Sequence, residues 1–469
     1  MPHFLPAGCV ALLAFAASTV AQCEPGWETT IGNPGVAGGY VGTIVPWNDG
    51  SAERLYAGGS FTSAGGNAAA DYVARWSPST NTWNALSTGI WNGFTNAFVN
   101  AITPFDPGDG KGERLVVGGW FARAGTAINT ASLAMWNGSA WEEMGTGWYV
   151  ASLSDSRRGA VWAIAPWQGR LYVGGGLFPA GASIPACALA SWDGAAWAPI
   201  ATALPSISAN PGIFALLAHD DGTGEKLYVA GRFDSIDGTP GTFGIARWTG
   251  AAWESLGPAL IPFSSFAAVN VLEVFDDGSG PALYAGVVGL RVPGQAQPGG
   301  FLNTQVIKWN GASWSPVGDW VGTGAIQALR VFDDGTGRAL YLGGQALPDI
   351  KYVARFVGGA WQTLGGGFTA VAPPWPGVFG LGVWEDRLYV GGTFSPADLG
   401  PSAHSIVAWR GCPSCYADCE EDGDLDVFDY LCFLGLFANQ DPYADCEGDG
   451  DWDIFDFLCY QGKYSNGCD

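Results

Sequence analysis

Two short acidic segments near the C-terminus combine residue types and spacing that could bind a metal ion. The second segment repeats the pattern of the first, with an acidic residue at positions 1, 3, 5, 7, 9 and 12 and a glycine at position 6. The acidic residues are Asp418, Glu420, Asp422, Asp424, Asp426 and Asp429 in the first segment, and Asp445, Glu447, Asp449, Asp451, Asp453 and Asp456 in the second. Hard carboxylate oxygens at this spacing, with the backbone carbonyl of position 7 and a glycine for the sharp turn, suit calcium. The pattern therefore predicts two Ca²⁺ ions.

The spacing is that of an EF-hand loop, with Asp in place of the longer Glu at position 12. Each loop leads into an apolar segment of helical character, residues 427–437 and 454–460, and no matching helix precedes either loop. Residues 412–469 hold 15 acidic residues and one lysine, which is most of the net charge of −23 on the chain. A disordered acidic tail is the alternative, but a tandem repeat of the ligand spacing argues for a folded module.

With the terminal Gly467-Cys468, residues 412–469 resemble a dockerin of the cysteine-bearing type that ends exported bacterial proteins. The resemblance implies a domain that folds on calcium and docks into a cohesin receptor. In that family, positions 10, 11, 17 and 18 of each half contact the partner. Here these positions are Val427, Phe428, Leu434 and Gly435, then Ile454, Phe455, Gln461 and Gly462, with no hydroxyl or basic pair. The alternative is a structural cap stiffened by calcium.

Seven of the ten cysteines lie in the same region: Cys412, Cys415, Cys419, Cys432, Cys446, Cys459 and Cys468. In an exported chain this density predicts disulfides rather than a zinc or redox site at Cys412 and Cys415. Cys419 is equivalent to Cys446 in the repeat, and Cys432 to Cys459, so pairing within or across the two halves is open. Cys23 could bridge to Cys412 or Cys415.

The N-terminus predicts export. Residues 1–21 contain an apolar run and end in Thr19-Val20-Ala21, which is typical of a cleaved signal peptide. No later stretch reaches 18 apolar residues, so we expect a secreted protein without a membrane span. With 20 basic and 43 acidic residues, a nucleic-acid partner is not expected.

Between these ends, residues 22–411 repeat one sequence motif, which we call the Gly-Gly phrase. It consists of an apolar run that ends in Gly-Gly, a loop, and two Trp-bearing segments. The repeats follow one another at nearly regular intervals, marked by Leu55, Leu115, Leu171, Leu227, Leu283, Leu340 and Leu388. Each repeat reads as four short strands, at residues 99–105, 114–121, 132–137 and 140–145 in the second. The fold class is therefore all-β.

Repeats of this kind bury their sheets against one another in a ring, which predicts a seven-bladed β-propeller with four-stranded blades. The last repeat lacks its fourth strand, and residues 26–30 carry a matching segment with Trp27, so we expect the N-terminal strand to close the last blade. The recurring aromatic residues are expected to pack between blades: Trp76, Trp136, Trp192, Trp248, Trp309 and Phe356. The repeated phrase also resembles the uncharacterised propeller repeats of bacterial surface proteins, which implies a fold and an extracellular location.

The segments that connect successive blades hold aromatic residues that could form a ligand platform. They include Trp91, Trp148, Tyr149, Phe263, Trp320 and Trp375. Filling of gaps between blades is the alternative. Catalytic signals are sparse: His219 falls at a strand end, and the acidic residues fall mostly in repeated Asp-Gly turns. We therefore expect a secreted, non-catalytic propeller that binds carbohydrate or protein outside the cell, docked through its calcium module. The alternatives are a polysaccharide-degrading enzyme with a dockerin and a structural surface protein.

Overall fold

The computed structural model describes residues 25–32, 35–91, 97–127, 130–145, 159–178, 187–206, 210–300, 302–369, 376–396, 405–411, 419, 427–441, 444, 446 and 452–466. Residues Gly26–Gly411 form one compact unit, and the described residues after Cys412 belong to a second. The predicted signal peptide and the cysteines at 23, 412, 415 and 468 lie outside the described residues.

The first unit is an all-β, propeller-like assembly of antiparallel sheets, in which each of the first five large sheets has four strands in chain order. The strands of the last two repeats are joined by a pairing of Gln345 with Gly377 into one sheet of eight strands. The first strands are Val41–Asn48, Phe98–Phe105, Val161–Trp167, Gly212–Asp220, Ala268–Asp276, Ala325–Asp333 and Gly377–Trp384. The second strands are Glu53–Gly59, Arg114–Trp120, Arg170–Phe178, Glu225–Arg232, Pro281–Val288, Arg338–Gln345 and Arg387–Thr393. The third strands are Val73–Ser77, Leu133–Trp136, Cys187–Trp192, Ile245–Trp248, Thr304–Trp309, Val353–Val357 and Ile406–Arg410. The fourth strands are Thr82–Ala85, Trp141–Glu142, Trp197–Ala201, Trp253–Glu254, Trp314–Gly322, Ala360–Thr363 and, for the last sheet, Gly26–Glu28.

The N-terminal strand completes the last sheet, as the sequence predicts. Gly26–Glu28 pairs antiparallel with Ile406–Arg410, and Trp27 lies opposite Trp409. The indole N–H of Trp27 donates to the carbonyl of Gly365 at 2.9 Å. The two ends of the repeat region are therefore joined by a strand pair.

The first strands contact one another in cyclic order, and the strand Gly377–Trp384 of the last sheet returns to Val41–Asn48 of the first. The closed ring joins the first and last sheets, so the free edges of the large sheets are their outer, fourth strands. Small two-stranded pairs flank the ring: Val36–Ala37 with Ser63–Ala64, Ile90–Trp91 with Arg123–Ala124, Ile261–Pro262 with Leu290–Arg291, and Phe368–Thr369 with Ser395–Pro396. Short 3₁₀ turns occur at Pro348–Ile350 and Leu364–Gly366.

Close packing explains why both positions of the recurring Gly-Gly pair are glycines. A Cβ on Gly118 would lie 2.4 Å from a methyl carbon of Val161 in the next sheet, so the first glycine lets that sheet approach. A Cβ on Gly119 would lie 2.0 Å from the carbonyl oxygen of Phe98 on the paired strand. The second glycine therefore makes room for an irregularity in the first strand of its own sheet.

The recurring aromatic residues pack between sheets, as predicted. Trp76 is 8% exposed, and its ring lies 6.1 Å from that of Trp384 in the neighbouring sheet. Phe105 and Trp192 meet across the boundary between the second and third sheets at 6.1 Å. These contacts bury large rings between the sheets and contribute apolar burial to the fold.

In the second unit, two helices are described, α1 (Val427–Ala438) and α2 (Ile454–Asn466). Phe433 of α1 stacks on Tyr460 of α2, with ring centroids 3.8 Å apart. These two residues and Ala444 form the buried centre of a small core. No helix in the described part of the chain is long and apolar enough to cross a membrane.

Candidate functional site

Three of the twelve predicted calcium ligands are described: Asp429, Asp453 and Asp456. Asp429 and Asp456 are each the third residue of a helix, and their exposed fractions are 0% and 1%. The carboxylate of Asp456 accepts a hydrogen bond from the backbone N–H of Asp453 at 2.9 Å. The nine remaining predicted ligands lie outside the described residues.

Two of the described residues are buried carboxylates that suit a calcium site, and calcium binding stays a prediction. Asp429 and Asp456 occupy position 12 of the two loops, and both are buried although this region of the sequence has one lysine for its 15 acidic residues. A buried carboxylate is costly unless a cation or hydrogen bonds compensate it. Bound calcium would neutralise these charges and order the loops that precede each helix.

The two halves of this region have the same pattern of burial. Phe433 and Tyr460, which occupy equivalent positions in the two halves, form the core between the helices. The opposite helix faces are apolar and exposed. Their exposed fractions are 60%, 57% and 55% for Val427, Phe428 and Leu431, and 61%, 56% and 52% for Ile454, Phe455 and Leu458.

The structure pairs cysteines within each half. Cys419 is bonded to Cys432, and Cys446 to Cys459. Each disulfide links a cysteine of a predicted calcium loop to the helix that follows it. Closing a loop of about 14 residues stabilises a fold by about 3 kcal/mol in the chain-entropy model. The structure therefore has pairing within each half, and not pairing across the two halves, which the sequence leaves open.

The aromatic residues of the predicted platform have different environments. Trp91 is 55% exposed, and the guanidinium carbon of Arg123 lies 5.0 Å from its ring centroid. Phe263 and Trp320 meet edge to face at 5.9 Å. Trp148, Tyr149 and Trp375 lie outside the described residues. The structure thus brings Phe263 and Trp320 together, and the ligand role of the platform stays a prediction.

Several acidic residues of the Asp-Gly turns form ion pairs with basic residues of their own sheets. The ammonium group of Lys308 donates to the carboxylate of Asp277 at 2.7 Å and holds the pKa of that carboxyl well below its ordinary value. Arg355 donates to Asp334 at 2.6 Å in the same way. Because these carboxylates are engaged in ion pairs inside the repeats, they act as structural groups.

His219 lies near the end of the strand Gly212–Asp220, as predicted, with its ring 5.9 Å from that of Tyr228. Burial lowers the pKa of this histidine. It lines a cleft together with Asp221 and Lys308. Asp221 accepts hydrogen bonds from the hydroxyl of Tyr228 and from Arg247, so the acid in this cleft belongs to the structural ion pairs.

Sequence reasoning missed a set of side chains on the first strands. The pairing register of every first strand shifts by one residue near its beginning, which leaves one residue unpaired. We call these residues the inner ring; they are Gly42, Asn100, Trp162, Phe214, Asn270, Gln327 and Phe379. All are partly exposed, although the strands that carry them form the centre of the unit.

A signal for the inner ring exists in the sequence. The residue before it is always a β-branched apolar one with 0% exposure: Val41, Val99, Val161, Ile213, Val269, Ile326 and Val378. The inner-ring position itself varies from glycine to tryptophan among the repeats. Aligning the repeats and looking for a variable position inside an otherwise constant strand would have found it.

Comparisons with known proteins give low similarities. No protein-family model matches the sequence, and no curated protein matches it either. Among solved structures, the chain is similar to the GH74 xyloglucanase from Xanthomonas campestris at 14% identity and a TM-score of 0.45. That match covers 84% of this chain and 56% of the xyloglucanase, so this chain spans little more than half of that enzyme.

Two further solved structures are similar over most of their length. The computationally designed Ika8 protein matches at 14% identity with a TM-score of 0.38, covering 82% of this chain and 100% of that one. The WD40 β-propeller domain of Doa1 matches at 12% identity with a TM-score of 0.35, covering 82% and 96%. These values are too low to transfer an activity to this chain.

Proposed function

We propose that this chain is an exported binding protein with two parts. Residues 22–411 form a seven-bladed β-propeller that binds carbohydrate or protein outside the cell. Residues 412–469 form a dockerin-like module that is ordered by two Ca²⁺ ions and attaches the propeller to a cohesin-like receptor or another cell-surface protein. The observation that carries the proposal is the pair of matched, exposed apolar helix faces in the C-terminal region.

Exposure of these faces supports docking. Val427, Phe428 and Leu431 expose more than half of their surface, and so do their counterparts in the second half of the region. Exposed apolar clusters of this kind mark interaction surfaces. Phe428 and Phe455 occupy positions that contact the receptor in dockerins, so an apolar receptor surface would complement them.

Calcium would control docking through the helix starts. Both exposed faces begin at the residue that follows position 9 of a calcium loop, and position 12 is the buried Asp429 or Asp456. Binding of calcium at these residues would hold the first turn of each helix in place. Docking is therefore expected to need the metal.

Export is supported by the two disulfides. Cys419–Cys432 and Cys446–Cys459 require an oxidising compartment.

A binding role for the propeller, rather than catalysis, is supported by the ion pairs of Asp277 and Asp334. Their carboxylates bind the side chains of Lys308 and Arg355.

The docking proposal can be tested with the full chain immobilised through an N-terminal tag after export. A panel of cohesin domains and extracellular surface proteins is passed over it with Ca²⁺ or with a chelator. The F428D/F455D double variant should lose capture at least tenfold, because it places charges in an apolar contact. Capture by the unmodified chain should also disappear with the chelator.

The matched control is Phe266→Asp, since Phe266 is 58% exposed but lies in the propeller region. This variant should capture as the unmodified chain does. Capture that survives both the chelator and the double substitution would show that the C-terminal region does not dock in this way.

A further inference from the structure

The inner ring results from a feature that recurs in every repeat. Each second strand supplies a small residue opposite the register shift, such as Gly58 and Gly59 opposite Thr43 and Val41 in the first sheet. A Cβ on Gly59 would lie 1.9 Å from the carbonyl oxygen of Tyr40. The Gly-Gly phrase therefore permits a bulge, and the bulge turns one side chain away from the ladder.

The inner-ring side chains of neighbouring sheets contact one another. The ring of Trp162 lies 5.9 Å from that of Phe214 and 5.6 Å from that of Phe98, so three consecutive first strands are linked through aromatic rings. Phe379 lies 4.8 Å from Tyr40. Part of the inner ring is therefore partly exposed aromatic surface.

The other part of the inner ring carries carboxamides, namely Asn100, Asn270 and Gln327. Three residues beyond two of them, Glu273 and Arg330 form an ion pair at 3.0 Å between neighbouring first strands. The guanidinium group of Arg232 lies over the ring of Phe214 at 5.6 Å. The inner-ring side chains themselves carry no charge, and the charged groups beside them are this neutral ion pair and the cation of Arg232.

Packing does not dictate the residue type at these positions. The residue before each one is a fully buried Val or Ile in every repeat, as the packing against the next sheet requires. The inner-ring position accepts glycine, carboxamides and large aromatic residues in one and the same fold. Side chains that are free of a common structural role, and that gather at one level of a ring, are available for recognition.

We propose that the inner ring is a binding site for an uncharged saccharide, an inference that rests on the proposed binding function of the propeller. Aromatic faces such as those of Trp162 and Phe214 pack against the C–H faces of sugars. Carboxamides both donate and accept hydrogen bonds, which matches sugar hydroxyl groups. Apolar surface with a few convergent polar groups is the usual composition of a ligand site.

The test is affinity electrophoresis of the full chain in gels that contain a neutral polysaccharide (a β-glucan, a galactomannan or starch) or an acidic one (polygalacturonate). At least one neutral polymer should retard the chain. Trp162→Ala and Phe214→Ala should each weaken that binding about tenfold or more. The N270A/Q327A double variant should weaken it as well, without removing any aromatic ring.

The control is Phe266→Ala, which removes an exposed ring outside the inner ring and should change binding less than twofold. Circular dichroism and thermal unfolding of each variant would show that it is folded. Equal binding by all folded inner-ring variants, with loss in Phe266→Ala, would overturn the inner-ring site but leave a saccharide-binding propeller. Retardation by the acidic polymer alone would overturn it too. Binding of a protein partner without any saccharide would overturn the inference while the proposed binding function stands.

Discussion

Asp71 lies just before the strand Val73–Ser77, and its environment differs from that of the ion-paired turn acids. Burial raises the pKa of its carboxyl group from 3.8 to about 6, although a hydrogen bond from the backbone of Ile90 acts in the opposite direction. One of its carboxylate oxygens is buried without a hydrogen-bond partner. The ionised side chain is therefore expected to destabilise the folded state.

Replacing Asp71 by Asn should change how stability depends on pH. Between about pH 4 and pH 6, the unfolded chain loses the Asp71 proton while the folded chain keeps it, so the free energy of unfolding falls as the pH rises. Above pH 6 the free energy of unfolding has lost the whole contribution of the Asp71 proton. Asp71→Asn should thus be more stable than the unmodified chain at pH 7.5, by on the order of 1 kcal/mol because the side chain is partly exposed.

Urea unfolding at pH 7.5 and pH 4 measures this difference, which should nearly vanish at pH 4. Glu225→Gln is the matched control, since Glu225 is an exposed residue of the same unit. A difference for Asp71→Asn that is the same at both pH values would contradict the assignment.

At the scale of elements, the spacing between neighbouring sheets depends on the first glycine of the Gly-Gly phrase. Gly58 faces Val99 of the next sheet and Gly118 faces Val161, with a Cβ at either site within 2.6 Å of a methyl carbon. In the fourth repeat this position is Ala230, so the assembly accommodates a methyl group where the neighbouring strand is positioned for it. A methyl group added elsewhere should displace the next sheet.

Gly118→Ala is therefore expected to lower the free energy of unfolding by about 2 kcal/mol, within the range for overpacked cores. Chemical denaturation measures the change. Gly299→Ala is the control, because a Cβ on Gly299 meets no atom within 4 Å. If both variants were equally stable, close approach of the sheets would not be the reason for the glycine.

At the scale of the whole molecule, residues from opposite ends of the repeat region close the ring. Trp27 packs against Trp409 at 5.0 Å and against Phe368 at 4.8 Å. The side chain of Arg387 donates to Glu28 at 2.9 Å. Closure by non-local contacts means that loosening the N-terminal strand exposes the edge of the last sheet.

Trp27→Ala should reduce the free energy of unfolding by about 2 to 3 kcal/mol, below the cost for a fully buried tryptophan because Trp27 is half-buried. It should also speed proteolysis near both ends of the repeat region. Denaturant unfolding and limited proteolysis measure the two effects. The control Trp91→Ala removes an equally large but exposed ring and should change the free energy of unfolding by no more than about 0.5 kcal/mol. A similar loss of stability in both variants would argue against closure of the ring by Trp27.

Much of the strand layout could be predicted from the sequence. The predicted segments 99–105 and 114–121 correspond to the strands Phe98–Phe105 and Arg114–Trp120. The fourth strand of that repeat, Trp141–Glu142, is shorter than the predicted 140–145. Strand propensity extends past the last residues that find a partner, so pairing sets the end of this outer strand.

Local chemistry explains what the sequence determined by itself. Turn residues, alternating apolar residues and the Gly-Gly phrase act within a few residues of chain, so the repeats, the all-β class and the N-terminal partner of the last sheet could be inferred without coordinates. Three features were decided by the tertiary structure: the cysteine partners, the inner ring and the exposed faces at Phe428 and Phe455. They depend on which segments come together and on a one-residue shift in register, and the sequence carries only the indirect signal for the inner ring that an alignment of the repeats reveals.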